Sequence, residues 1–409
     1  MALTILGSGE EIALLTSLPW ELPLEQWEEE PELGAQRGIS RHVVRLVNVG
    51  TPDKAEVFAV KETVPEFAKR EYAHLRELAN RSAPSVEPIA VVDGRESATG
   101  VPLPAIIVTR YLPFSLPYRI ILTRNVTPHE IETMGSALSL LLVRLHLLGF
   151  WWGDCSLSNT LFRRDGDGFA AYLVDAETGE FQKSLSDGQR EHDLEIAHFN
   201  VAAELEDLAL SGVLYPGMDP IRASEAVIKR YHRIWKALKE RQVLDPKDRH
   251  AVERAMRQLQ DLGFAVDEVS VSLDGESQKL YFQPKLVAPG YHRNRLRELT
   301  GLETEALQAK RLLASLDRFR GREQNPKPPI ADSARRWLNE TYRPIVEMIP
   351  KNLAGRIEEA QFFHEVLEHR WYLSEREGHD VGLTFAAQSY IDDVMPFRRD
   401  SGVEMGASQ

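Results

Sequence analysis

The stretch from Leu145 to Glu177, LHLLGFWWGDCSLSNTLFRRDGDGFAAYLVDAE, constrains the fold more than any other part of the chain. It leaves a helical pattern, runs through a loop into a strand, turns at RDGDG and returns as a second strand. If the two strands pair, Asn159 at the start of the first and Asp175 at the end of the second become neighbours. Asp154 lies on the loop that enters the hairpin. The sequence therefore predicts two carboxylates and an amide oxygen at one open end of a hairpin.

Such a group of oxygens fits the ligands that Mg²⁺ prefers. The ion takes hard oxygen ligands and usually only one or two carboxylates, with water and phosphate oxygens completing its coordination. Asn159 and Asp175 fit as ligands, and Asp154 fits as the carboxylate that orients or deprotonates an attacking hydroxyl. The alternative is a purely structural hairpin, because Asp and Asn are common at strand ends and turns. The stretch alone leaves both interpretations open.

A lysine and a glutamate upstream form a second candidate pair. In the strand pattern EVFAVKE, Lys61 shares a face with Val57 and Ala59, which is unusual for a lysine without a partner. In the next helical pattern, residues 66–80, Glu71 falls on the apolar stripe, where an unpaired carboxylate would be costly. We therefore predict an ion pair between Lys61 and Glu71. The alternative is that Glu71 lies at the edge of the stripe and reaches solvent.

Secondary-structure signals along the whole chain predict an α+β fold. Residues 1–35, which are acidic and contain several prolines, are expected to form an N-terminal extension that wraps the surface. Strand patterns follow as far as about residue 112. The segment TPHE then opens a long helix, with Thr127 as N-cap and Glu130 completing a capping box. The hairpin stretch and then mostly helices follow, to about residue 262. Residues 263–409 are predicted to form a separate C-terminal module, with a hairpin around a DG turn and then helices.

Composition narrows the class of protein. The chain has 409 residues, 43% of them hydrophobic, and a net charge of −13. An acidic balance argues against a general nucleic-acid binder, whose affinity comes from Lys and Arg at phosphates. The single cysteine, Cys155, excludes an intrachain disulfide and is expected to be a packed, inert thiol. The N-terminus lacks the basic region of a signal peptide, and no apolar run reaches the roughly 20 residues that span a bilayer. We expect a cytoplasmic protein.

The charge reverses in part of the C-terminal module. Residues 285–327 contain ten Lys and Arg against five Asp and Glu, a local balance of +5. This segment could form a surface for an anionic or protein partner. The alternative is a solvated helix face that docks on the acidic remainder of the chain. The leucines in it are expected to be ordinary core.

Taken in order, these motifs resemble the protein-kinase-like superfamily. The resemblance rests on AVK at 59–61, Glu71, LHLLGFWWGD at 145–154, SLSN at 156–159 and LVDAE at 173–177. The branch they resemble most contains the bacterial lipopolysaccharide kinases and the RIO-type atypical kinases. Its catalytic loop reads LHxxGxxHGDxxxxN, and its metal-binding aspartate is not followed by Phe-Gly. More narrowly, RGISRHVVR, WGDCSLSNTLFRRD and FHEVLEHRWYLSE resemble an uncharacterised, largely actinobacterial family described as lipopolysaccharide-kinase-like.

The resemblance implies a two-lobed kinase-like domain at 36–262, with ATP and Mg²⁺ as cofactors. The β-rich N-lobe would cover 36–113 and the helical C-lobe 114–262, and the accessory module would follow at 263–409. Its site residues would have the following roles: Lys61 would bind the α and β phosphates, Glu71 would hold Lys61, Asp154 would be the catalytic carboxylate, Asn159 and Asp175 would bind Mg²⁺, and Thr109, Arg110, Tyr111 and Leu112 would form the hinge that meets adenine. Asp193 would brace the backbone of the catalytic loop.

The sequence also departs from the family pattern. No glycine-rich GxGxxG loop is present, so we expect Ser40 and Arg41, next to Gly38, to cover the phosphates. Trp152 replaces the usual histidine, and DAE replaces Asp-Phe-Gly, so no activation-segment switch is expected. These departures favour a small-molecule or glycan acceptor over a protein.

The leading hypothesis is an ATP- and Mg²⁺-dependent phosphotransferase whose acceptor is unknown. The alternative is a nucleotide-binding pseudokinase scaffold whose C-terminal module docks a partner. An AMP transferase would use the same residues. A nucleic-acid-binding regulator would act through the basic segment.

Overall fold

The structure is a computed structural model, and it divides the chain into two compact units. Unit 1 comprises residues 1–163 and 171–232, and unit 2 comprises residues 164–170 and 233–409. The structure describes residues 3–7, 11–27, 43–51, 54–122, 126–215, 217–239, 242–244, 248, 250–251, 253–254, 257, 266–274, 279–286, 291–323 and 327–397. The domain limits predicted from the sequence stay a prediction.

An antiparallel sheet of five strands forms the first part of unit 1. Its strands are β1 (Thr4–Gly7), β2 (Val44–Thr51), β3 (Lys54–Thr63), β4 (Pro88–Asp93) and β5 (Ala105–Arg110), in the spatial order β1-β4-β5-β3-β2. Helix α1 (Glu11–Leu15) and a 3₁₀ turn at Leu24–Gln26 lie between β1 and β2, and helix α2 (Pro65–Asn80) follows β3. In β3, Phe58 and Val60 are fully buried. Because side chains alternate along a strand, Lys61 is presented on the other face.

The N-terminal segment does more than wrap the surface, which corrects the prediction for residues 1–35. Strand β1 pairs with β4 at the edge of the sheet, from Thr4 opposite Asp93 to Gly7 opposite Ala90. Leu15, Trp20, Leu24 and Trp27 are buried in the core of the same sheet. The physical reason is that this proline-punctuated segment carries large apolar side chains, whose burial outweighs its acidic character.

The rest of unit 1 is mainly helical. It contains α3 (Tyr118–Leu122), α4 (Pro128–Leu147), α5 (Asp187–Leu210) and the first part of α6 (Pro220–Lys239), with short strands β6 (Ser115–Pro117), β7 (Phe150–Trp151) and β10 (Glu180–Phe181). The predicted capping box of α4 is present, since Glu130 N donates to Thr127 Oγ1 over 3.2 Å and Thr127 N donates to Glu130 Oε2 over 3.0 Å. These contacts fix the first residue of α4. The loop that carries Asp154 begins after the C-terminal end of this helix.

The predicted hairpin is formed by β8 (Thr160–Asp165) and β9 (Gly168–Leu173), in a sheet with the order β6-β8-β9. Its tip, residues 164–170, belongs to unit 2. There the buried Asp165 accepts hydrogen bonds from Leu307 N and Gln308 N over 2.9 and 3.0 Å. Burial raises the pKa of Asp165 to about 6, and the charge of Glu305 adds to this shift. The tip therefore has specific partners within unit 2.

Unit 2 combines a three-stranded antiparallel sheet with a group of helices. Strands β11 (Gln242–Leu244), β12 (Val266–Asp274) and β13 (Lys279–Leu286) have the spatial order β11-β13-β12. The β12–β13 pairing agrees with the predicted hairpin, with Asp274 opposite Lys279. Within the stretch predicted to be mostly helical as far as about residue 262, the short segment Gln242–Leu244 is a strand that pairs with the free edge of β13.

The helices of unit 2 surround an aromatic core. They are α7 (Tyr291–Thr300), α8 (Ala306–Gly321), α9 (Ile330–Trp337), a π-helical turn at Leu338–Tyr342, α10 (Arg343–Val346), α11 (Glu359–Glu377) and α12 (Leu383–Asp393), followed by a 3₁₀ turn at Met395–Phe397. Trp337, Phe362 and Phe363 are fully buried there. As predicted, Leu296, Leu312 and Leu316 are also core residues. The described residues as a whole mix helix with small antiparallel sheets, which is the α+β class. Among them, no helix has the length and apolar character needed to cross a membrane.

Candidate phosphotransfer site

The predicted ion pair between Lys61 and Glu71 is present. The Nζ atom of Lys61, on β3, lies 2.7 Å from Glu71 Oε2, on α2. Glu71 is only 1% exposed, as expected for a residue on the buried stripe of its helix. The alternative, in which Glu71 reaches solvent, is wrong. The same Nζ also lies 3.0 Å from Asp175 Oδ2, so the lysine joins the sheet to the end of the hairpin.

Three carboxylates surround this lysine. Glu71, Asp175 and Glu177 each offer a ligand oxygen, and these oxygens lie within 4.8 Å of one another. Glu177 Oε2 is 3.9 Å from Lys61 Nζ, and Glu177 N donates to Asp175 Oδ1 over 3.1 Å. Three carboxyl groups therefore face one ammonium group. Their oxygens are chemically suited to a divalent ion with oxygen ligands.

The base of the hairpin brings the other predicted residues to the same place. Val174 N donates to Asn159 O over 3.1 Å, so Asn159 and Asp175 lie at adjacent strand ends, as predicted. Asn159 Nδ2 donates to Asp154 Oδ2 and to Asp154 O, both over 3.0 Å. Since the amide nitrogen is engaged, its Oδ1 remains as an acceptor for a cation. This donor set, one amide oxygen and the carboxylate of Asp175, fits Mg²⁺.

A buried aspartate holds the backbone of the loop at residues 152–153, as predicted for Asp193. Its Oδ2 accepts from Trp152 N over 2.9 Å, and its Oδ1 accepts from Gly153 N over 2.8 Å. Asp193 is completely buried. His146 Nε2 lies 2.9 Å from the same Oδ2. Gly153 has φ +76°, a conformation that favours glycine, and this turn presents the next residue, Asp154.

Trp152, which stands where the resembled loop pattern has a histidine, has a structural role. It is fully buried, and its indole Nε1 donates to Asp175 O over 2.9 Å. The side chain therefore ties the loop that carries Asp154 to the strand end that carries Asp175. Cys155 is also completely buried, and burial raises the pKa of its thiol well above the usual value. The prediction of a packed, unreactive thiol agrees with this environment.

A cavity of about 180 Å³ opens between the sheet and the hairpin of unit 1, and it is smaller than the roughly 300–1,000 Å³ of typical small-molecule sites. Lys61, Asn159 and Asp175 line it. The four residues of the predicted hinge, Thr109–Leu112, line it too. The apolar residues that line it come from the sheet and from the base of the hairpin: Val44, Leu46, Ala59, Val86, Leu161 and Val174. The cavity thus combines apolar residues with a lysine and two side chains that offer oxygen ligands.

The residues of the predicted hinge already have partners within the chain. Tyr111 N already donates to Val57 O over 3.0 Å, and Leu112 O accepts from Ser115 Oγ over 2.7 Å. The guanidinium of Arg110 forms ion pairs with Glu11, Glu56 and Glu87, which fix its side chain. The hinge role of Thr109–Leu112 stays a prediction. Ser40 and Arg41, with Gly38, lie outside the described residues.

Two supporting residues were missed by the sequence reasoning. Asn200 Nδ2 donates to Asp154 Oδ1 over 3.0 Å, and Glu204 accepts from Leu157 N and Ser158 N over 2.7 and 3.0 Å. Both follow Asp193 on α5 at spacings of seven and then four residues, which place all three on one helical face. The sequence therefore contained a signal for both residues, namely their position on the same helical face as Asp193. Glu177 was also missed, although it stands only two residues after Asp175.

Burial and charge shift the pKa values of the central pair. Burial raises the pKa of Glu71 to about 8, Lys61 opposes the shift, and Asp175 and Glu177 add to it. Burial by itself lowers the pKa of Lys61, but Glu71 and Asp175 outweigh it and raise that pKa above its usual value. The lysine therefore stays charged at neutral pH, whereas the carboxyl of Glu71 changes its protonation state near neutral pH.

The raised pKa of Glu71 gives a pH-dependent stability. Between its ordinary pKa of 4.5 and about 8, the folded chain holds a proton there that the unfolded chain releases. This stabilisation is complete below pH 4.5 and is lost as the pH rises through 8. We therefore expect the melting temperature of Glu71→Gln, relative to the wild type, to increase between pH 5 and pH 9. Thermal denaturation should show an increase of about 3 °C or more, since 1 kcal/mol corresponds to roughly 2–4 °C in a domain of this size.

The control for this experiment is Glu66→Gln, an exposed glutamate in the first turn of the same helix. Its difference from the wild type should not change over the same range. A constant or decreasing difference for Glu71→Gln would show that the carboxyl titrates in the normal acidic range.

Comparisons with known proteins give three findings. A family model described as a domain of unknown function (DUF4032) matches residues 233–395. No curated protein matches the chain. Among solved structures, the chain is similar to one titled "WaaP in complex with acyl carrier protein", with 14% sequence identity and a TM-score of 0.37, over 64% of this chain and 99% of that one.

Proposed function

We propose that the chain is an ATP- and Mg²⁺-dependent phosphotransferase with a kinase-like arrangement inside unit 1. In this proposal the β1–β5 sheet with α2 serves as the small lobe, and α3–α6 with the hairpin serve as the helical lobe. The acceptor is a small molecule or glycan rather than a protein.

The observation that carries the proposal is the position of one lysine. Lys61 Nζ lies 2.7 Å from Glu71 and 3.0 Å from Asp175, while Asn159, which also lines the cavity, is hydrogen-bonded to Asp154. Two stretches of the chain that are distant in sequence, residues 61–71 and 154–175, thus contribute to one cluster. A structural hairpin with polar ends gives no reason for a buried lysine and glutamate to meet its open end.

In this proposal each residue of the site has a distinct role. Lys61 binds phosphate oxygens, and Glu71 holds it in place. Asn159 and Asp175 hold Mg²⁺, which, when bound, neutralises the charge that develops on the phosphates. Glu177, beside Asp175, adds to the negative field that attracts the ion. Asp193 and Trp152 fix the loop backbone, so that little reorganisation is needed during the reaction.

In the reaction, an acceptor hydroxyl oxygen attacks the γ-phosphorus of ATP. The bond between that phosphorus and the β,γ-bridging oxygen breaks, and ADP leaves with the bond's electron pair. The hydroxyl proton passes to Asp154, whose carboxylate is oriented by Asn159 and Asn200. Catalysis rests mainly on positioning and charge neutralisation, as is usual for phosphoryl transfer.

A nucleotide-binding pseudokinase is the second candidate, and one observation favours it. Lys61 and Asp175 contact each other directly, so the side chains that would bind phosphate and metal already neutralise each other in part. An AMP transferase would use the same residues but would release pyrophosphate in place of ADP.

Calorimetry of ATP binding, with and without Mg²⁺, tests the proposal. The wild type is expected to bind Mg-ATP, and Lys61→Ala is expected to bind it at least about tenfold more weakly, because a charge-assisted contact contributes roughly 1.5–3 kcal/mol. The matched control is Lys229→Ala, an exposed lysine in unit 1 with a surface ion pair. Binding that does not depend on Mg²⁺ would support the pseudokinase. Unchanged binding by Lys61→Ala would contradict both.

A further inference from the structure

Unit 2 contains a cleft of about 570 Å³, a size typical of small-molecule sites. It lies within the residues that match the domain of unknown function. Helices α8, α11 and α12 and the π-helical turn contribute its walls. The lining residues are Ser315, Arg318, Phe319, Arg322, Glu340, Thr341, Pro344, Ile345, Leu367, Arg370, Trp371, Ser374, Asp380, Gly382, Leu383 and Thr384.

The positive charges in this cleft exceed the negative ones. Its two acidic residues are both engaged: Asp380 accepts from Arg370 Nε over 2.8 Å, and Glu340 accepts from Arg336 Nε over 3.1 Å. The guanidinium groups of Arg318 and Arg322 form no hydrogen bond or ion pair with any residue in the described ranges, although the charge of Arg322 helps to lower the pKa of Asp380. The cleft therefore presents two guanidinium groups that have no carboxylate of the described residues within ion-pair distance.

These arginines also repel one another. Partial burial lowers the pKa of Arg318, and the nearby charges of Arg311, Arg370 and Arg322 lower it further. The C-terminal end of α8 favours cationic side chains, but this does not require that their guanidinium groups line a cleft. A dianion bound between them would relieve the repulsion and form charge-assisted, bidentate hydrogen bonds.

The remaining lining residues restrict the shape of such a ligand. Thr341 and Thr384 bring hydroxyl groups, and Thr384 lies in the first turn of α12, where backbone N–H groups favour an anion. Phe319, Leu367 and Trp371 provide an apolar wall, and Trp371 is 61% exposed. Inorganic phosphate would leave this wall unused. An organic phosphomonoester with a flat or apolar body would use both parts of the cleft.

We propose that the cleft between α8, α11 and α12 binds a small organic phosphomonoester, with Arg318 and Arg322 holding the phosphate and Phe319 and Trp371 contacting the organic body. A nucleoside monophosphate and a sugar phosphate share this chemistry. The inference does not depend on the proposed phosphotransferase activity, because every lining residue belongs to unit 2.

Calorimetry with phenyl phosphate, in the full chain and without ATP or Mg²⁺, tests the proposal. The experiment uses a Lys61→Ala background, so that phosphate binding in unit 1 does not contribute. Arg318→Gln/Arg322→Gln is expected to weaken phenyl phosphate binding at least about tenfold, as the loss of two charge-assisted contacts predicts. Inorganic phosphate should bind more weakly than phenyl phosphate, because it makes no apolar contact.

The matched control is Arg335→Gln/Arg376→Gln, which removes two exposed arginines of unit 2 outside the cleft. It should change the affinity less than twofold. Adenosine 5′-monophosphate and a hexose 6-phosphate then distinguish the two sources, and tight binding of either supports the proposal. Equal weakening in both double variants would overturn it, as would no binding of phenyl phosphate. Binding of a phosphoserine peptide alone would also overturn it, in favour of a protein partner.

Discussion

Asp175→Ala is expected to abolish Mg²⁺-dependent ATP turnover, with a loss on the order of 10³-fold or more. Asp175 has two roles in the proposed site, since it faces Lys61 over 3.0 Å and stands at the hairpin end beside Asn159. Loss of a metal ligand removes several kcal/mol of charge stabilisation from the transition state, and each 1.4 kcal/mol corresponds to a factor of ten in rate.

The measurement is the release of ADP, with an acceptor screen or with water as acceptor. Glu195→Ala is the matched control, because it removes a carboxylate that is 81% exposed on α5 and should leave turnover unchanged. Asp175→Asn, which keeps the side-chain volume, separates loss of charge from loss of packing. Turnover within threefold of the wild type in both Asp175 variants would rule out a metal role for this residue. Release of AMP instead of ADP by the wild type would identify adenylyl transfer.

Asp193→Ala is expected to lower the free energy of unfolding by about 4 kcal/mol. The side chain is completely buried and accepts from the backbone N–H groups of Trp152 and Gly153, and it also contacts His146. Truncation leaves these groups buried without a partner, at a cost of about 1–3 kcal/mol each. The loop that carries Asp154 should then lose its fixed conformation, so turnover should fall as well.

Chemical denaturation measures this effect. Glu206→Ala, an exposed glutamate on the same helix, should change stability by no more than about 0.5 kcal/mol. Asp193→Asn retains an acceptor oxygen and should fall between the wild type and Asp193→Ala. A loss below 1 kcal/mol in Asp193→Ala would mean that water or another group takes over the three contacts.

Local sequence signals predicted several features that depend on near neighbours in the chain. The capping box at Thr127 and Glu130 is one example, because both partners lie within four residues. The strand pattern placed Lys61 on the face opposite Phe58, and the helical stripe placed Glu71 on the buried side of α2. A buried charge needs a partner, so these two patterns together were enough to predict the ion pair.

Other features could not be derived in this way, because they depend on which distant groups come into contact. The residues next to Trp152 in the sequence do not predict that its indole donates to Asp175 O, which is 23 residues away. Glu204 accepts from Leu157 and Ser158 across more than 40 residues. The edge positions of β1 and β11 follow from the free edges that β4 and β13 offer, which a strand's own residues do not encode.

The sequence by itself therefore determined the candidate residues of the site, the order in which they occur and the elements that carry them. Only the tertiary structure decided that Glu177 joins Glu71 and Asp175 around Lys61, and that Arg318 and Arg322 line a cleft. The physical reason is that periodicity and capping act over one or two turns of chain. Electrostatic fields and clefts are instead sums over residues from several elements, and they exist only once those elements have packed together.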